Sequence, residues 1–115
     1  MKLRAMGYGL AIILGTALVA SPRLNAQSGD ATAGKAVYTK SCASCHGATG
    51  EPKAALAKVL KVEMRHLGSK DVLAKSDADL HKDMMEGTGK MKPVKGLSDQ
   101  DVGNVIAYMR TLKGP

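Results

Sequence analysis

Cys42-Ala43-Ser44-Cys45-His46 carries the densest chemistry in this chain of 115 residues. The pattern C-x-x-C-H is that of covalent c-type haem attachment. Two thiols must add to the two vinyl groups on one edge of a porphyrin. Residues three apart on a helical turn share a face, so both sulfurs reach that edge. His46 then lies under the ring and offers an imidazole nitrogen to the iron. Cys42 and Cys45 are the only cysteines in the chain. Three other chemistries compete. A redox dithiol wants a preceding strand and a βαβ context, whereas the flanks here read as helical. A structural zinc site wants four closed ligands, and His66 and His81 are poorly spaced to supply them. A plain disulfide is the third.

Caps and apolar spacing define the elements that must position this motif. Asp30 is an N-cap for a first helix running toward Cys42, with Val37 and Tyr38 on its apolar side. Gly47 to Glu51 is a break, after which Pro52 opens a helix over Lys53 to about Lys61. Leu56, Val59 and Leu60 fall on one face of it. Between Glu63 and Lys70 the pattern is a turn, with a short helical piece reaching Leu73. Ser76 begins Ser-Asp-Ala-Asp, a capping-box-like start with Asp79 in place of the usual Glu. That helix turns Leu80 and Met84 inward and ends at Gly87. Thr88 to Leu97 is a loop. Ser98 caps the last helix, with Asp99 and Asp101 in its first turn where the helix dipole favours them. Val102, Val105, Ile106, Met109 and Leu112 form its apolar stripe. No strand pattern, internal repeat or low-complexity segment is present.

The front of the chain reads as a targeting segment. Lys2 and Arg4 make a short positive region, and Met6 to Ala20 is an uncharged apolar run, shorter than a span of about 20 residues. A cleavage point follows Ala26 in Leu24-Asn25-Ala26-Gln27, with Leu24 larger than the small residue usual there. No Arg-Arg pair precedes the run, so the general secretory route is expected over twin-arginine export. The expected organisation is a cleaved signal over residues 1–26 and one domain over 27–115, placed in the periplasm. The alternative is an uncleaved N-terminal anchor. Export agrees with haem attachment, because an exposed dithiol in an oxidising compartment tends to close to a disulfide.

Without residues 1–26 the domain has 89 residues, no Trp, no Phe, and only Tyr38 and Tyr108 as aromatics. A core from such a chain alone is marginal. A covalently held haem would serve as both cofactor and core. Formal charge is +7 for the whole chain; of its 17 Lys and Arg, three leave with the signal, so 14 against 10 acidic residues give +4. The basic charge is scattered and has no aromatic-basic stripe, which argues against nucleic acid and leaves an anionic surface or an acidic protein face.

The order Gly34-x-x-x-Tyr38-x-x-x-Cys42-x-x-Cys45-His46, then Gly89-Lys90-Met91, then Asp101-Val102 and Val105-Ile106-Ala107-Tyr108-Met109-Arg110, resembles a class I cytochrome c of the short bacterial single-haem type. The resemblance spans the whole domain. It implies an all-α fold of three to five helices around one covalently attached haem c, with first and last helices crossing. It implies that Gly34 lets the last helix approach closely and that Tyr38 packs against Tyr108. The family carries its axial methionine in a loop, which points to Met91 in Gly87-Thr88-Gly89-Lys90-Met91-Lys92-Pro93. Lys92 stands here where the family often joins Met directly to Pro. Met84 and Met109, at helical spacing, read as core, and Met85 adjoins Met84. His66 or His81 would give bis-histidine ligation instead. A carbonyl near Pro52 is implied as acceptor for the second His46 nitrogen, and Arg65 or a lysine as partner of the haem carboxylates.

With His46 and Met91 on the iron, no position is open to a substrate, so electron transfer rather than catalysis is implied. The expected protein is a monomeric single-electron carrier between respiratory or dehydrogenase complexes. It would need no small-molecule substrate and no nucleic acid. Lys90, Lys92 and Lys95 would face acidic docking surfaces on redox proteins or membrane complexes. Alternatives are a subunit held by one dehydrogenase, or a haem sensor or peroxidase-like protein with an open iron.

Overall fold

Asp30 starts the first helix by a local hydrogen bond: its carboxylate accepts from the backbone N–H of Thr32 at 2.8 Å and of Ala33 at 3.3 Å. This is the cap chemistry that satisfies donors left open at a helix start. A computed structural model describes residues 29–115, so the expected signal segment 1–26 and its cleavage point lie outside the described residues. Six helical segments follow in order: α1 Ala31–Ser41, α2 Ala43–His46, α3 Ala54–Leu60, α4 Lys70–Leu73, α5 Asp77–Glu86 and α6 Asp99–Met109. The count exceeds three to five because α2 and α4 are single turns, α2 following α1 after a break at Cys42. Among the described residues there is no strand, only an isolated bridge between Thr88 and Met91.

The structure is organised by the packing of α1 against α6. Gly34 makes it possible: a Cβ there would sit 1.8 Å from the carbonyl oxygen of Asn104. The two backbones are in contact, and any side chain at residue 34 would part them. Tyr38, Val102 and Val105 are sealed in the seam. The Tyr38 and Tyr108 rings lie 5.1 Å apart at 58°, a tilted aromatic pair. Asn104 is buried as well, and its Oδ1 accepts from the backbone N–H of Asp30 at 2.8 Å, so the last helix caps the entry to the first.

The remaining elements wrap this pair. Ser76 and Ser98 cap α5 and α6 through their hydroxyls. The reciprocal box closes at Ser98, where the Asp101 carboxylate accepts from the Ser98 N–H at 3.0 Å. At Ser76 the Asp79 carboxylate reaches only the hydroxyl. Arg110, just past α6, donates to the carbonyls of Leu73 and Lys75 and to Asp77, tying the α4–α5 connection down. Gly114 donates to the Gly68 carbonyl at 3.0 Å, so the C-terminal end lies along residue 68.

α3 departs from the expectation. It begins at Ala54, two residues after Pro52, and buries none of its residues. Val59 is 77% exposed and Leu60 37%. The spacing of Leu56, Val59 and Leu60 describes a face, but only Leu56 of the three is partly covered. Among the described residues no helix is long and apolar enough to cross a membrane.

Candidate functional site

A cavity of about 430 Å³ opens between α1–α2, the 65–75 segment, α5, the 88–91 loop and α6. Its apolar wall includes Leu67, Val72, Leu80, Met84, Val105 and Met109. Cys42, His46 and Met91 line it together, residues brought from the α1–α2 region and from the loop after α5. Cys45 lies beside the cavity on the exposed side of α2, outside its lining. His66 and His81 are elsewhere: the His66 Nδ1 accepts from Gly68 N–H at 2.9 Å, and His81 Nε2 meets Asp99 at 3.0 Å. Met85 packs on the core without lining the cavity.

Three electrostatic features suit these groups to a metal-bearing ring. Burial pushes the His46 imidazole below its usual range, toward the neutral form that ligates a metal. Its Nδ1 is buried without any hydrogen-bond partner. The carbonyl near Pro52 therefore does not serve it, and an unsatisfied buried group of this kind signals a role beyond packing. Burial, and then the neighbouring Cys45, push the Cys42 thiol up. Redox dithiols favour the opposite shift, toward thiolate.

Met91 is presented by backbone. Its N–H donates to the Thr88 carbonyl at 2.9 Å, and Thr88 N–H returns a bond to the Met91 carbonyl at 3.0 Å. Gly87 takes φ 82°, and a Cβ there would fall 2.6 Å from the Met91 carbonyl oxygen. The tight turn thus needs glycine at 87, and it delivers the thioether from a loop rather than a packed helix. Met84 and Met109 also line the cavity, but both are buried in helices of the core.

Charged side chains complete the lining. Arg65 pairs with Asp71 at 3.1 Å, and Lys75 pairs with Asp83. Both cations lie on the cavity lining. Lys90, Lys92 and Lys95 are exposed around Met91, and none of them forms an ion pair among the described residues.

The turn that leaves His46 is held by side chains whose roles the sequence did not disclose. The Tyr38 hydroxyl donates to the carbonyls of His46 at 2.9 Å and Gly47 at 2.8 Å. The Tyr108 hydroxyl reaches the Ala48 carbonyl at 3.3 Å. The Glu51 carboxylate accepts from Ala48 N–H at 3.0 Å, and from Thr49 N–H and hydroxyl at 2.8 and 2.7 Å. The Thr49 hydroxyl and the surrounding backbone amides hold Glu51 down to about 2. A short Gly-Ala-Thr-Gly-Glu turn is a cue for such a carboxylate; the tyrosine contacts have no local signal.

The family model of Cytochrome c matches residues 31–113. Cytochrome c-555 of Chlorobaculum tepidum is 40% identical over 109 residues, covering 86% of this chain and 90% of the relative. Cytochrome c-554(547) of Halothiobacillus neapolitanus is 38% identical over 91 residues, covering 75% of this chain and all of that protein. Among solved structures, the KustC0563 c-type cytochrome superposes with a TM-score of 0.60 at 28% identity, over 70% of this chain and 98% of its own.

Proposed function

Because the chain belongs to the cytochrome c family, and so is a small electron-carrying protein with covalently held haem c, we propose that it is a periplasmic single-electron carrier with His46 and Met91 as axial ligands of the iron. The observation that carries this reading is the shared cavity: Cys42, His46 and Met91 line one space of about 430 Å³, within the range of cofactor pockets. Cys42 and Cys45 are the attachment thiols, and Arg65 and Lys75 would hold the ring carboxylates. When bound, haem supplies a one-electron iron couple. The residues do the rest. Leu67, Val72, Leu80 and Val105 exclude water. His46 presents a neutral imidazole, and the 88–91 turn presents a thioether. With both ligand positions taken by the protein, no substrate binds at the metal, which favours a carrier over an enzyme. A His/Met pair also raises the potential relative to two histidines. The partners are redox proteins or membrane complexes with acidic faces, met through Lys90, Lys92 and Lys95, and the carrier acts as a monomer. Residues 1–26 are its cleaved signal.

Met91→Ala in the purified holoprotein tests the ligand. The methionine-to-iron charge-transfer band disappears, the potential falls and the reduced protein binds carbon monoxide. Met84→Ala and Met85→Ala keep the band. Loss of the band in Met84→Ala with retention in Met91→Ala refutes the assignment.

A further inference from the structure

We propose that Tyr38 and Tyr108 are positioning residues that set the orientation of the His46 imidazole by gripping three successive backbone carbonyls, those of residues 46, 47 and 48. The inference rests on the reading of His46 as an iron ligand and adds to it what aims the ring.

The geometry goes beyond what aromatic packing needs. α2 is a single turn, so the carbonyls at its C-terminal end have no helical donor. A phenylalanine at 38 would fill the same fully buried space but leave His46 and Gly47 carbonyls unpaired. The Tyr38 hydroxyl has one proton and shares it between these two acceptors, at 2.9 and 2.8 Å. Tyr108, ring against ring with Tyr38, continues the grip one residue on. Glu51 takes the amides of the same turn from the other side. The His46 backbone is thereby anchored to the α1–α6 seam, and its side chain leaves that anchor into the cavity.

The test is proton NMR of the ferric holoprotein, reading the paramagnetically shifted His46 ring and haem methyl resonances, together with the reduction potential. Tyr38→Phe should displace both sets of resonances and shift the potential. Tyr108→Phe should displace them less, since it frees only the Ala48 carbonyl. A Tyr38→Phe protein that is less stable but has unmoved resonances and potential overturns the proposal, because a packing role predicts that result. If Tyr38→Phe cannot be recovered folded, Tyr108→Phe decides: unmoved resonances overturn the grip. A wild-type spectrum without shifted His46 ring protons would instead remove the ligand reading itself, and is read before any variant.

Discussion

Replacing Gly34 by alanine should unfold this protein far more easily, although alanine is the better helix former. Two terms oppose each other. Glycine to alanine inside a helix gains about 1 kcal/mol of propensity. Against this, the new Cβ would lie 1.8 Å from the Asn104 oxygen and 2.4 Å from its carbonyl carbon. Both are backbone atoms of α6 and cannot rotate away. Reaching 3.4 Å, the start of ordinary contact, requires α1 and α6 to part by about 1.6 Å. Overpacking costs about 1–3 kcal/mol, and a gap of even 0.5–1 Å forfeits a quarter to a half of each dispersion contact. Taking about 3 kcal/mol for the clash, the net loss is about 2 kcal/mol. For a domain of this size that lowers Tm by about 8–16 °C. Gly103→Ala is the matched control. It lies in α6, and a Cβ there meets nothing within 4 Å. It should gain about 1 kcal/mol and raise Tm by about 4–8 °C. Thermal melts of both holoproteins give the signs directly. Shifts of the same sign in the two variants would refute the reasoning from backbone contact.

Asn104→Ala leaves the Asp30 N–H without its acceptor and should cost about 1–3 kcal/mol in denaturant titration, with m unchanged. Glu51 is depressed from 4.5 to about 2 in the folded state, so its contribution is complete above pH 4.5 and is lost as pH falls toward 2. Acid melts of Glu51→Gln should therefore lack a part of the destabilisation that the wild type shows between those values; identical acid curves would contradict the carboxylate's role in the turn. Electron transfer to an acidic partner should slow with salt, since the Debye length falls from about 10 Å at 0.1 M to about 3 Å at 1 M. Charge reversal at Lys90, Lys92 and Lys95 should slow it further at low salt with spectrum and potential nearly unchanged, and a stopped-flow rate flat with salt would exclude this face.

Local chemistry was legible in the chain. Asp30, Ser76 and Ser98 cap helices through bonds spanning two or three residues, so sequence alone discloses them. The C-x-x-C-H spacing and the Gly- and Pro-punctuated setting of Met91 are equally local. What escaped was long-range. Asn104 sits off the apolar stripe of α6, yet it is buried because that helix packs on α1 as well as around the cavity. Its partner, Asp30, is 74 residues away, and no window of sequence contains both. Lys75 and Asp83 carry no local signal, and only the fold brings them together at the cavity wall. α3 shows the converse error: its apolar spacing is real, but periodicity names a face without saying whether anything covers it.

The α1–α6 seam also sets the order of events during synthesis. Asp30 meets Asn104 only after 74 further residues have been made, which at about 5–20 residues per second takes about 4–15 s. Closing a loop of that length costs about 4 kcal/mol before any contact offsets it. A single helix forms in microseconds but cannot bury Tyr38 alone. The nascent chain therefore passes through a long interval with the C-x-x-C-H segment complete and its cover absent. Docking of the last helix then brings Val105 and Met109 to the cavity wall beside Cys42, so the site is enclosed only at the end, while Cys45 stays exposed.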